Sequence, residues 1–416
     1  MRRVTSILEL DLPQVDPFTL VEGAPPWVRY HGLPRQHWAA RCGDGIVITG
    51  FEEVRVILAD TRFHQGLRVM LEMNTDLDPR FVARRKQSML VREGPDHQRL
   101  RQLALRAFTP KAIDRHRPYM REIMTDLAAN VPDDGCCDAV ATLTQHYPIP
   151  IMCRLLGAPT DDLPLFSRIA EAVLNAQTGA PDQIEAGLAA HDEIDAYMRA
   201  LIERRRDGPG PDLLSDLIHA EADEGRLTVE ELVHLGVSVI VAGTDTTRNE
   251  LALGLHLFAD HPEQWTLLNE RPELAAGAAE EVTRYAPIGQ VLARVPECDI
   301  EVNGVVIPAG RMVTLFVGAA NRDPRVFPDP DSFDITRPAG RANLAFGHGA
   351  KYCLGVNLAR AELAEALSVL SATFGRIELQ APATWHTAAF LQGPARLPVQ
   401  LVRRQATIAN SPDQQR

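Results

Sequence analysis

The sequence predicts one large, mainly α-helical domain with a minor β portion, and three observations carry that expectation. Helical periodicity, broken only by Pro/Gly punctuation, runs from about Pro95 to Ala286. Within it, Thr228-Val229-Glu230-Glu231 has the form of a capping box. It opens a helix that stops at His261-Pro262. At roughly 1.5 Å per residue that helix would run about 50 Å and cross the whole molecule. Strand signals lie mostly elsewhere, and no linker, repeat or low-complexity tract divides the 416 residues. Residues 1–416 are therefore expected to form a single domain, with flexible ends at about 1–20 and 404–416.

Along the chain, Gly45–Thr49 reads as a strand, and Asp96–Ala107 and Pro118–Asn130 as charged amphipathic helices. Asp192–Asp207 and Asp212–Asp223 read as helices separated by Gly208-Pro209-Gly210-Pro211. After the long helix, Ile300–Ile307 alternates around Asn303-Gly304, the signal of a tight hairpin. Met312–Val317 and Leu397–Val402 add strands. A Gly-punctuated loop, Phe346–Gly355, runs into an apolar helix from Val356 onward.

Composition removes several classes of function. Apolar residues make up 45% and charged residues 24%, an ordinary globular balance that allows a sizeable core. With 43 basic and 55 acidic residues the net charge is −12, which argues against nucleic acid as a partner. No apolar run approaches the ~20 residues that span a bilayer, and residues 1–16 have no targeting character. The six cysteines contain no CxxC pair. Neither a disulfide framework nor a zinc site is indicated, and a cytoplasmic setting fits.

Two short stretches carry chemistry. In Phe346-Gly347-His348-Gly349-Ala350-Lys351-Tyr352-Cys353-Leu354-Gly355, glycines permit close approach and Cys353 stands at a helix N-terminus. That position favours thiolate, which suits a soft metal or haem iron. Taken alone, Cys353 reads first as a small buried hydrophobe, as most lone cysteines do. Midway along the long helix, Ala242-Gly243-Thr244-Asp245-Thr246-Thr247 places an acid and alcohols in an apolar run. A threonine there can bond the carbonyl four residues back and loosen the ladder, and acid plus alcohol can relay protons.

Phe346, Gly349, Cys353 and Gly355 stand at the spacing Phe-x-x-Gly-x-x-x-Cys-x-Gly, and the loop resembles the haem-binding loop of the cytochrome P-450 family. The 242–247 hexapeptide resembles that family's Ala/Gly-Gly-x-Asp/Glu-Thr-Thr turn. Glu281-Val282-Thr283-Arg284 and the later Arg337 resemble its Glu-Arg-Arg network. The resemblance implies a fold with haem b held between the long central helix and the helix after the cysteine loop. It implies Cys353 as axial iron ligand, with Phe346, Gly347, Ala242 and Gly243 against the cofactor. By the same resemblance His97, Arg101, Arg294 and Lys351 pair with the haem propionates, Asp245 and Thr246 deliver protons, and Glu281, Arg284 and Arg337 form a structural brace. Lys351 stands where bacterial members usually carry His or Arg.

The family's chemistry would insert one oxygen atom from O2 into a mostly apolar small molecule, such as a terpenoid, steroid, polyketide or aromatic compound. Electrons would come from NAD(P)H through a separate ferredoxin and ferredoxin reductase, with the enzyme acting as a monomer. The stretch Arg99–Arg121 has seven Lys/Arg residues against the single acid Asp114, a candidate docking patch for an acidic donor. Phe63–Val91 (with Met70, Met73 and Met89), Ile169–Pro181, Ile240–Thr246, Gly289–Ala293 and Ala389–Gln392 are expected to line the pocket, where Gln177, Gln290 and Gln392 could orient a polar group. Oxidative coupling or ring formation is a rival outcome, as is a non-catalytic haem sensor. The acid–alcohol turn weighs against the sensor.

Overall fold

Thr228 begins the longest helix by capping it. Its hydroxyl accepts from the Glu231 amide at 3.1 Å, and the Glu231 carboxylate accepts from the Thr228 amide at 3.1 Å. Two orphan donors of the first turn are thereby satisfied. The helix then runs unbroken from Val229–Asp260 and is capped by His261. Helices Pro148–Leu156, Leu163–Asn175, Pro181–Asp207 and Val356–Thr373 pack around it. It is held to the last of these by a buried hydrogen bond, Thr247 Oγ1 donating to Glu362 Oε2 at 2.8 Å.

These relations come from a computed structural model. It describes the chain except residues 1–4, 20–23, 31–32, 34–36, 75–76, 177–179, 225–226, 339–342, 387–391 and 405–416. The β portion is dominated by a five-stranded sheet in the spatial order Ala39–Cys42, Gly45–Ile48, Val313–Phe316, Val291–Pro296 and Phe63–Gln65. Gln65 lies opposite Arg294 in that register. The expected hairpin is present as Ile300–Val302 and Val305–Ile307. It turns at Asn303 and Gly304 with φ of 50° and 77°, the left-handed geometry that an Asn-Gly pair supplies most readily.

Three differences from expectation have physical causes. The helix expected from Asp192 starts at Pro181. Residues 181–191 are rich in Ala and Gly and show little periodicity. Gly187 is required there because a Cβ would lie 2.4 Å from that of Ala176. The segment from Thr5 onward, expected to be a flexible end, is tied down. Thr5–Ser6 pairs in parallel with Val305–Val306, and Ile7 is fully buried. Strands Phe63–Gln65, Val291–Pro296 and Phe374–Leu379 have no clear signature because they are short or carry polar residues among the apolar ones.

Apolar side chains form a main core around the long helix and a second one beneath the five-stranded sheet. A third, small cluster stands apart: Leu71, Phe81, Val91, Ala176 and Ile184. It joins helices Gly66–Met73 and Pro79–Lys86 to Pro181–Asp207. Ion pairs reinforce the same junction, Arg84 meeting Asp195 through two contacts of 2.5 and 2.6 Å and Arg80 meeting Glu185 at 2.7 Å.

Glu281, Arg284 and Arg337 come together as a buried knot. Arg284 donates to both oxygens of Glu281 at 2.7 Å and to the carbonyls of Asn321, Pro330 and Ser332. Arg337 Nε donates to Glu281 Oε1 at 3.0 Å, and its other nitrogens reach the Pro328 and Asp329 carbonyls. One carboxylate thus fixes two guanidiniums that pin the whole 321–334 segment. Removing it would leave two cations without their counter-charge, one of them fully buried. We predict that Glu281→Ala lowers stability by about 3–5 kcal/mol, measured by chemical denaturation. A loss under about 1 kcal/mol would show that the knot is not structural.

Candidate active site

The cysteine loop is shaped by two glycines with positive φ, Gly347 at 72° and Gly349 at 69°. At Gly349 a side chain would also collide, since a Cβ would lie 2.7 Å from the Leu58 carbonyl. The loop closes on itself through Cys353 N donating to Phe346 O at 2.8 Å. Arg360 stacks over the Phe346 ring at 5.3 Å. Burial pushes the Cys353 thiol up, opposed by a hydrogen bond from the Gly355 backbone and by Arg101 and Arg360. A coordinated metal ion overrides such a penalty and takes the thiol as thiolate.

Four basic side chains gather beside this loop. His97 and Arg294 are buried, and Arg101 and Lys351 half-buried. Burial, then the charges of Lys351 and Arg101, push His97 down to about 4. Burial brings Arg294 down to about 10 and Lys351 to about 8. The nearby acid, Glu93, is already committed to His64 Nδ1 (2.8 Å), the Gln65 amide (2.6 Å) and Arg68 (2.7 Å). A buried group of like charges calls for an anionic guest. The two propionates of haem, beside a lone thiol, fit that demand.

The Lys351 ammonium donates to the carbonyls of Met89, Leu90 and Arg92. Arg294 Nη1 donates to Gln65 Oε1 at 2.8 Å and to the Ala293 carbonyl at 2.9 Å. That orientation depends on the unforeseen strand Phe63–Gln65.

On the long helix, Thr246 Oγ1 donates to the Ala242 carbonyl at 2.7 Å, and Thr244 likewise to Ile240 at 2.7 Å. The helix nonetheless stays continuous and is not loosened. Asp245 is 2% exposed. Its Oδ1 meets Arg248 at 2.8 Å, while Oδ2 is buried with no partner. Burial raises its pKa, Arg248 opposes this, and Glu171 adds to it. Arg248, overlooked in the sequence, was legible from its i, i+3 spacing. At Gly243 the absent side chain makes room for Met152, whose sulfur would lie 2.5 Å from a Cβ there.

Other expectations divide. Met70 and Met73 are 47% and 76% exposed and line no enclosed pocket, because their helix turns that face outward. Gln290 and Gln392 are buried. Gln177 and residues 389–391 lie outside the described residues. Of the seven basic residues in Arg99–Arg121, three are engaged: Arg99 with Glu231, Arg117 with Asp114 and Glu365, and Arg121 with Glu365. Arg101 faces the site, which leaves Arg106, Lys111 and Arg115 on the surface.

The family model for cytochrome P450 matches residues 180–271 and 264–376. Nocardicin C N-oxygenase of Nocardia uniformis subsp. tsuyamanensis is 37% identical over 359 residues, covering 85% of this chain and 88% of that protein. This chain belongs to the cytochrome P450 family. Mycinamicin IV hydroxylase/epoxidase of Micromonospora griseorubida is 36% identical, covering 93% of this P450 and 98% of that enzyme. Among solved structures, CalO2 superimposes with a TM-score of 0.86 at 30% identity, over 94% of this chain and 99% of its own. The protein is a haem-dependent monooxygenase, an oxidoreductase that takes electrons through redox partners. No helix among the described residues is long and apolar enough to cross a membrane. Those residues contain no group of three or more His, Cys, Asp or Glu that could hold a metal.

Two buried carboxyls lie near this site. Glu362 accepts from Thr247, and Glu250 accepts from the Ile288 amide at 3.1 Å. Each has a second oxygen without a partner. Burial pushes both from 4.5 up to about 8. They are therefore neutral in the fold while ionised in the unfolded chain between those values. Their stabilising contribution is full below about pH 4.5 and is lost as pH rises through 8. We predict that Glu250→Gln and Glu362→Gln leave Tm unchanged near pH 4.5 and raise it near pH 9. Equal shifts at both pH values in calorimetry would contradict this.

Proposed function

We propose that this monooxygenase inserts one oxygen atom into a mostly apolar small molecule, a polyketide or comparable natural product, with Cys353 as the iron ligand. The reading is carried by the buried Asp245 carboxyl next to Thr246 on the long helix, which packs against the helix that follows the cysteine loop. Its two relatives above are named for nocardicin C and mycinamicin IV, which supports a product of specialised metabolism as substrate. The electron donor is a separate ferredoxin with its NAD(P)H-dependent reductase. We further place the enzyme in the cytoplasm as a monomer, in keeping with six unpaired cysteines.

When bound, thiolate-ligated haem supplies activation of dioxygen. His97, Arg101 and Arg294 would hold its carboxylates. Asp245 keeps one oxygen on Arg248 and leaves Oδ2 able to carry a proton inward. The Thr246 hydroxyl, fixed on the Ala242 carbonyl, offers an oxygen that can accept that proton and pass on its own.

A Soret band near ~450 nm in the reduced, carbon monoxide-bound protein tests the thiolate ligand, and Cys353→Ser should abolish it. We expect Asp245→Asn and Thr246→Ala to keep that band but lower product formation about 100-fold. NAD(P)H oxidation would continue in both, with hydrogen peroxide released in place of product. Unchanged coupling in both variants would remove them from proton delivery. Charge reversal at Arg106 and Lys111 should slow reduction by ferredoxin at low salt, the difference closing at high salt. Stopped-flow reduction at two ionic strengths reads this directly.

A further inference from the structure

The cysteine loop carries an ammonium whose hydrogen-bonding capacity is already full. Lys351 Nζ donates to the carbonyls of Met89 at 2.9 Å, of Leu90 at 3.5 Å, and of Arg92 at close contact. An ammonium has three N–H donors and no acceptor, so three carbonyls saturate it. His97 and Arg101 make no ion pair among the described residues, and Arg294 is held only by neutral oxygens. Those three retain their charge for an anionic guest, whereas the donors of Lys351 are taken.

The three carbonyls come from one turn, closed by Val91 N and Arg92 N donating to Ser88 O at 3.0 Å. On one side of the turn, Val91 belongs to the small apolar cluster with Leu71, Phe81, Ala176 and Ile184. On the other, Glu93 binds His64, Gln65 and Arg68, and Gly94 with φ of 65° opens the helix that bears His97 and Arg101. The turn is thus a junction between the helices of that small cluster and the cations beside Cys353. A lysine suits this role where histidine would not. Imidazole has at most two donors, whereas an ammonium has three on a flexible stem. A guanidinium can serve a turn in the same way, as Arg403 does with the carbonyls of Ala128, Ala129 and Val131.

We infer that Lys351 is a positioning residue that clamps the Cys353 loop to the Met89–Arg92 turn, rather than a partner of the haem carboxylates. Displacement of that turn is passed to the loop that holds the iron ligand. The inference rests on Cys353 being that ligand.

The test compares the wild-type holoenzyme with Lys351→Met, Lys351→Gln and Lys351→Arg. Amide hydrogen exchange reports residues 89–95 and 346–353, and the rate of haem transfer to apomyoglobin reports cofactor retention. Lys351→Met should speed exchange in both segments about tenfold or more, the loss expected when a charged donor's hydrogen bonds are removed. Haem transfer should stay within about threefold of wild type, a difference smaller than one hydrogen bond is worth. Lys351→Arg, which keeps the charge and several donors, should restore protection, and Lys351→Gln should restore it only in part. Accelerated haem transfer with unchanged exchange would overturn the clamp and assign Lys351 to a propionate. Were Lys351→Met not to fold, the Gln and Arg variants carry the same comparison. Absence of the ~450 nm band in wild type would count against the ligand reading alone, because exchange in residues 89–95 and 346–353 still decides the clamp.

Discussion

His97, Arg101, Arg294 and Lys351 are gathered beside a buried thiol, and the nearby Glu93 is already shared among three other donors. Such an arrangement is costly in a medium where charge is poorly screened. It is tolerable only if something anionic sits among the cations and something electrophilic meets the sulfur. Haem supplies both from one molecule, carboxylates at one edge and iron at the centre. The same electrostatic demand explains why elements distant in sequence converge here: the strand bearing Arg294, the helix bearing His97 and Arg101, and the loop bearing Cys353.

Holding these elements in register needs rigid supports. Glu281 ties two arginines to five carbonyls of the 321–332 segment. Thr247 and Glu362 join the long helix to the helix after the cysteine. Both devices are buried. Neither touches the expected reaction centre, so their effect on chemistry is through position alone.

Much of this was legible in the sequence because it is local. The Thr228/Glu231 capping box, the Asn303-Gly304 turn and the Cys353 loop are read from residues a few positions apart, and each formed as its spacing implied. What escaped depends on partners far along the chain. Lys351 could be read as a cation but not as the owner of three carbonyls about 260 residues upstream. The packing role of Gly243 is invisible without Met152, and the outward turn of Met70 and Met73 cannot be seen in a run of apolar letters. The basic count in Arg99–Arg121 overstated the surface charge, since Glu231 and Glu365 come from remote helices to neutralise it.

The small cluster of Leu71, Phe81, Val91, Ala176 and Ile184 stands apart from both larger cores. Leu67, Leu77, Val82 and Leu188 pack against its five buried side chains, and the Arg84–Asp195 and Arg80–Glu185 pairs reinforce the same junction. A unit this small buries far less apolar surface than either larger core, so the opening free energy of its helices falls below that of the whole domain. Its backbone amides would exchange with solvent through that local opening, while those of the long helix wait for global unfolding.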